Sequence, residues 1–246
     1  MTRWVTTLIV ANLAIFLLTL SNPILIREFA FLPVEILVRP WTLVTYMFLH
    51  GGWSHILFNM IGLFFFGPPL ETFLGEKRFL LLYGISGLAA AVLSGVSPFT
   101  PIIGASGAVY GVFLGFAYFW PKQMIYIWGV FPIQARWLVV IMTGLSLYGG
   151  FGGAPDGIAH FAHLGGFLGA WLYLRWAVQK ARENVSRPEV VKVSRSDIER
   201  WKAIDGERLH DVNREELDRI QSKLSGEGAS ALTPAEKAFL DRFSDR

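Results

Sequence analysis

Gly104-Ala105-Ser106-Gly107 sets a serine hydroxyl among residues too small to shield it, at the mouth of a hydrophobic segment, and a second hydrophobic segment carries His163. A serine becomes a nucleophile when a base within hydrogen-bond reach takes its proton, and the acyl transfer that follows needs donors for a tetrahedral oxyanion. His55 and Asn59, four residues apart on one helical face, offer such donors. A tight Gly104–Gly107 turn at a helix N-terminus would aim backbone N–H groups the same way. Each residue also has a plainer use, because serines in membrane helices often bond back to the backbone and polar pairs often hold helices together. Metal chemistry has less support. The chain has no cysteine, no His-Glu-x-x-His, and no carboxylate at ligand spacing on these faces, so neither a metal nor a cofactor is expected.

The elements that must position these groups read as membrane spans. Of 246 residues 53% are apolar, with 20 Phe and 9 Trp, more than one soluble core needs. Runs of about twenty apolar residues predict six helices near Trp4–Leu20, His55–Leu70, Phe79–Val96, Ile102–Trp120, Arg136–Tyr148 with a lead-in from Ile125, and Ile158–Val178. No Ala-x-Ala site follows the first run, which reads as a retained anchor. Arg3, Lys77-Arg78, Lys122 with Arg136, and Arg175-Lys180-Arg182 fall on one side, while residues 97–101 and 149–157 carry no Lys or Arg. The positive-inside rule then places both termini in the cytoplasm. Membrane topology accounts for the net charge of +3 more simply than nucleic acid does, and no nucleic-acid partner is expected.

Two further regions stand out. The long first loop, 21–53, is rich in Phe29, Phe31, Leu32, Ile36, Leu37 and Trp41, and is expected to fold against the membrane surface. After Val178 the composition turns to mixed charge, with capping signals at Ser196-x-x-Glu199, Asn213-x-x-Glu216 and Thr233-Pro234-x-Glu236. Stripes of Leu217, Ile220, Leu224 and of Phe239, Leu240, Phe243, joined across Gly226–Gly228, predict a small helical hairpin. The expected domains are a transmembrane unit, 1–182, and a soluble helical tail, 183–246, whose His210 reads as solvated.

Within the membrane polar residues are costly, so the few present ask for a reason. Ser106 lies about four residues into its predicted span and His163 about five into its own, both roughly 6–8 Å below the helix start. Gly107, Gly111 and Gly115 repeat every four residues, as do Ala162, Gly166 and Ala170, so the two helices can pack closely.

Three separated motifs carry a resemblance: Gly104-x-Ser106-Gly107, His50 followed by His55-Ile-Leu-Phe-Asn59, and Ala162-His163-x-x-Gly166. With these in order, residues 1–180 resemble the rhomboid intramembrane serine proteases of the prokaryotic six-helix form. The resemblance implies an all-α polytopic bundle with Ser106 as nucleophile and His163 as general base. It also implies Asn59, His55 and the Ser106 N–H as oxyanion hole, with Tyr110 packed on the imidazole and Gly104 and Gly107 supporting. His160 is a neighbour in that pattern, and Glu71, four before Gly75, resembles a structural acid. Trp41-Thr42 stands where the family often has Trp-Arg, leaving the anchoring of the first loop open, and Ala170 stands where it often has glycine. The tail resembles the helical cytoplasmic extensions that some bacterial members carry.

The expected activity is therefore endopeptidase cleavage of single-pass membrane proteins, from an inner-membrane site opening to the external side. The alternative is a silent relative that binds membrane clients without cutting them. A transporter would need a polar stripe across the whole bilayer, and the polar residues here stop in the outer half. A Ser106–His163 dyad is expected with no third acid, since Asp156, the nearest external carboxylate, could orient His163 only if the 149–157 loop folded inward; that loop, with its glycines, is a candidate lid. The sequence leaves oligomeric state open.

Overall fold

The computed structural model describes residues 1–127, 129–152, 159–186, 193–209 and 211–244, and it divides into two compact units, Met1–Val178 and Gln179–Arg246. In the first unit the helices are α1 (Arg3–Thr19), α2 (Pro23–Phe29), α3 (Thr42–Thr45), α4 (Trp53–Leu74), α5 (Glu76–Ser94), α6 (Ser106–Phe119), α7 (Ala135–Gly152) and α8 (His160–Ser186), the last running past the division. Among the described residues, α4 and α5 are long and apolar enough to cross a bilayer by length and composition, while α1 and α6 are apolar but shorter.

The predicted spans find their helices with shifted edges, and the differences have local causes. Residues 124–134 do not lead helically into α7. Met124–Ile127 (β1) and Phe131–Gln134 (β2) form an antiparallel hairpin turning at Gly129, whose φ is +71°, with Ile125 opposite Ile133. β-branched isoleucines around a glycine turn favour that shape over a helix. The fourth helix begins at Ser106 instead of Ile102, because Ile102 is bonded to Phe31 in an isolated bridge.

Glu71 sets α1 against α4. Its buried carboxylate accepts from the Thr2 hydroxyl (2.5 Å), the Trp4 N–H (3.0 Å) and the Val5 N–H (2.9 Å), satisfying first-turn donors of α1 that have no partner within the helix. Glu71→Ala strands those donors, and a loss of roughly 2–4 kcal/mol is expected. A thermal-unfolding series of the purified protein checks it. An unchanged midpoint would mean that α1 is held by its apolar face alone.

The first loop is pinned to the bundle, not draped loosely over it. Phe31 is buried and paired with Ile102, and Thr42, also buried, donates its hydroxyl to the Arg39 carbonyl (2.6 Å). The anchoring left open at Thr42 is carried by Arg39, whose guanidinium donates to the Arg27 carbonyl (3.1 Å) and pairs with Glu35 (3.3 Å) and Glu28 (3.9 Å). Leu37, Val38 and Trp41 remain exposed on its outer side.

In the second unit, α9 (Arg195–Lys202), α10 (Asp211–Glu227) and α11 (Pro234–Ser244) surround a core of Trp201, Leu217, Ile220, Leu224, Leu232 and Leu240. The expected stripes are there, with Phe239 and Phe243 half-buried and their tilted rings 4.8 Å apart; Trp201 and Leu232 join them unanticipated. Two of three predicted caps move. The first box is Ser194 with Asp197, two residues before the predicted one, and α10 starts at Asp211, which puts Asn213 inside the helix and leaves Glu216 to Arg219 (2.7 Å). At α9 the earlier side chain wins the turn. His210 lies outside the described residues.

The third cap forms. Glu236 accepts from the Thr233 N–H (2.7 Å) while the Thr233 hydroxyl accepts from the Glu236 N–H (3.2 Å), and Arg219 (2.9 Å) and Lys223 (3.1 Å) complete the carboxylate's partners. The Thr233 N–H first, against the cost of burial, with Lys223 and Arg219 behind it, holds the Glu236 carboxyl down to about 2. An unfolded glutamate titrates near ~4.3. Its stabilisation is therefore complete above about pH 4.3 and is lost as pH falls towards about 2. Pepsin should cut α10 and α11 of the full chain progressively faster over that window, and Glu236→Gln should already be cut faster at its upper end; a flat profile would sink this linkage.

Candidate active site

Why Ser106 opens its helix follows from what precedes it. Phe31 N–H donates to the Ile102 carbonyl (3.1 Å) and Ile102 N–H to the Phe31 carbonyl (2.8 Å), so the chain arrives extended. Gly104 then turns with φ at +116°, donating its N–H to the Tyr46 carbonyl (2.9 Å). L side chains rarely adopt that φ, and a Cβ there would also sit 2.5 Å from Nε2 of His55. Ala105 becomes the N-cap and Ser106 the first helical residue, its N–H in the first turn, where donors have no partner within the helix. The expected depth of four residues into a helix is thus corrected. Ser106 lies at the start of α6 and His163 is the fourth residue of α8.

The two side chains nevertheless meet. Ser106 Oγ and His163 Nε2 are 2.8 Å apart, a hydrogen bond of ordinary length. Their helices touch through backbone: any Cβ at Gly166 would overlap the carbonyl oxygen of Gly107, and Ala170 fits against Gly111 without strain. Tyr110, one turn after Ser106, stacks on the His163 ring with centroids 4.1 Å apart and planes 18° from parallel. Phe167 backs Tyr110 at 4.9 Å, so aromatic rings hold one face of the imidazole. The hydroxyl of Tyr110 lies near Ser146 of α7.

On α4, Asn59 is buried and donates Nδ2 to the His55 carbonyl (2.9 Å). The Gly51 N–H donates to Nδ1 of His55 (3.4 Å), which assigns the remaining proton to Nε2, the atom facing Gly104 beside the serine. His50 packs edge-on to His55 at 4.9 Å. Burial, followed by the neighbouring His55, pushes the His50 imidazole down to about 4, so it is neutral at physiological pH. His160 turns its ring onto Gly149 of α7 and stands edge-on to His163, with centroids 6.5 Å apart.

Beside the first turn of α8 a cavity of about 180 Å³ is lined by Ser94, Ser97, Thr100, Gly149, His160 and Ala162 among others, polar enough to admit water. Part of the expected lid loop is helix, since Gly149, Gly150 and Gly152 close α7; the rest, including Asp156 and Gly157, lies outside the described residues. Among the described residues no cluster of three metal-ligating side chains occurs.

Several positioning residues escaped sequence reasoning. Tyr46 both accepts from Gly104 and donates its hydroxyl to the Gly87 carbonyl (2.7 Å), tying the first loop to α5. Phe31 and Ile102 look in the sequence like any other apolar residues. Only the glycine spacing at Gly165 and Gly169, which pack on Ala89, carried a readable signal.

The family model for the Rhomboid domain matches residues 38–180, a range that holds every residue just described from Tyr46 to Phe167. RHOMBOID-like protein 4 of Arabidopsis thaliana is 35% identical over 133 residues, covering 54% of this chain and 32% of that relative. The putative rhomboid protease YdcA of Bacillus subtilis is 44% identical over 75 residues, 30% of this chain and 38% of the relative. Rhomboid protease GluP of the same bacterium is 32% identical over 133 residues, 53% and 25% respectively. The chain thus spans a quarter to two-fifths of the length of these relatives.

Proposed function

The chain belongs to the rhomboid family, a family of polytopic membrane proteins, and from that premise we propose that it is an intramembrane serine endopeptidase acting through Ser106 and His163. The observation that carries this reading is the 2.8 Å contact between Ser106 Oγ and His163 Nε2 under the stacked ring of Tyr110. The relatives named as proteases support the class of activity.

In the proposed reaction Nε2 of His163 accepts the Ser106 proton as Oγ bonds to the substrate carbonyl carbon. The oxyanion is met by the Ser106 N–H, Asn59 and the Nε2–H of His55. The imidazolium returns its proton to the leaving nitrogen as the C–N bond breaks, and a water, deprotonated by the same imidazole, hydrolyses the ester. The Ser94–Thr100 cavity would supply that water.

The topology belongs to the same proposal. α1, α4, α5, α6, α7 and α8 would be the six spans of the inner membrane, with both termini cytoplasmic and the site open to the outside. α6, with 14 residues, is about 21 Å long against a hydrocarbon core of ~30 Å, which suits a helix whose serine end starts below the outer surface and is reached by extended chain. Residues 1–182 would form the protease and 183–246 a cytoplasmic tail.

Substrates would be single-pass membrane proteins whose helix unwinds locally before attack. Mass analysis of a reporter incubated with the protein tests this. Cleavage within or at the edge of the hydrophobic segment supports it; cleavage confined to the soluble flanks would refute it. No cleavage of several reporters would favour a client-binding protein.

A further inference from the structure

We propose that the groove between α5 and α8, at the end away from Ser106, is a binding site for an anionic phospholipid. The proposal rests on the membrane embedding proposed above but not on the catalytic reading. Its origin is in the helix crossing. At the Ser106 end, Gly165 and Gly169 let α8 press directly on the backbone of Ala89 and Ile85. Beyond Gly169 the small residues give way to Tyr173 and Trp176, and the helices no longer close on each other. The resulting groove, of about 400 Å³, is lined by Leu81, Ile85, Tyr173 and Trp176 and presents only apolar surface. Its size and lining suit an acyl chain.

A charge marks the mouth. Arg78 precedes Leu81 by three residues and Ile85 by seven, so all three lie on one face of α5. Its guanidinium is exposed, lies close enough to the Tyr173 hydroxyl to act on it electrostatically, and has no carboxylate partner among the described residues. The nearest acid in sequence, Glu76, is engaged elsewhere: it accepts from the Trp4 indole (3.1 Å) and pairs with Arg3 (3.7 Å) on the α1 side. Arg175 leans back over the Trp171 ring at 5.1 Å. An unpaired guanidinium at the rim of a dry groove, with Tyr173 and Trp176 at the level where aromatic side chains meet headgroups, recognises a phosphodiester attached to acyl chains. A zwitterionic lipid fills the groove equally well but brings its own cation to the mouth.

The full chain, delipidated in detergent, is heated in the presence of phosphatidylglycerol or of phosphatidylcholine with the same acyl chains. Phosphatidylglycerol should raise the unfolding midpoint by about 4–8 °C more than phosphatidylcholine. Arg78→Gln, an exposed substitution, should abolish that difference, and Ile85→Trp, which fills the groove, should abolish the response to phosphatidylglycerol. Glycerol 3-phosphate, a headgroup without chains, should shift nothing. Equal shifts from both lipids in the unaltered protein, a difference that survives Arg78→Gln, or a full response from Ile85→Trp would each overturn the proposal. Fluorophosphonate labelling of Ser106 in the same samples reads the catalytic proposal separately. Lipid shifts without labelling leave this site standing, and labelling without them removes it alone.

Discussion

Ser106→Ala and His163→Ala are each expected to lower cleavage of a membrane reporter by about 10⁴-fold or more, and the double variant to be no worse than either single one. A neutral serine hydroxyl is a poor nucleophile, and in the proposed reaction its proton would leave across the 2.8 Å contact to Nε2. Removing either partner ends the same step, so the losses do not add. His163→Ala also strips the ring on which Tyr110 stacks, so His163→Asn is the better control for packing. Time courses with reconstituted protein measure all four forms. Additive losses would show that the two residues serve different steps and would remove the dyad.

Gly166→Val should also be strongly damaging although Gly166 carries no reacting group. The Gly166 Cα faces the Gly107 backbone so closely that any Cβ would overlap the Gly107 carbonyl oxygen, and that oxygen cannot rotate away as a side chain could. α6 and α8 must separate, carrying Ser106 from His163. A misplacement of ~1 Å at a reacting pair costs on the order of 10²-fold. Turnover is expected to fall at least that far, with a lowered unfolding midpoint, while Gly144→Val in α7, where nothing lies within 4 Å, should change neither much. Since Gly166→Val could fail to fold, Gly166→Ala is measured beside it; near-normal turnover in a folded Gly166→Ala would show that the crossing is not what aligns the pair.

Legible in the sequence were the pairing of Ser106 with His163 and the crossing point of their helices. Polar residues in apolar runs are conspicuous because they are expensive, so Ser106, His163, Asn59 and His55 stood out, and small residues at fourfold spacing announced which helices touch. The position of Ser106 within its helix was misread for an equally physical reason. Hydropathy runs through Ile102 and Ile103 without a break, and the break is made by a tertiary pairing with Phe31, more than seventy residues earlier. The same blindness to partners hid Arg39 behind the missing arginine at position 42 and let Ile125 pass for the start of a helix. In the tail, capping side chains compete locally, so Ser194 outbid Ser196 with no change in the pattern that betrays a helix start.

The central claim is that His163 activates Ser106, and intact-mass analysis after brief exposure to a fluorophosphonate tests it most directly. A serine activated by its neighbour is predicted to give a single adduct, located to Ser106 by peptide mapping, formed rapidly in the unaltered protein and lost in His163→Asn at an unchanged unfolding midpoint. Labelling of Ser106 at the same rate in folded His163→Asn, or a protein that cuts its reporter while Ser106 stays unmodified, would contradict it.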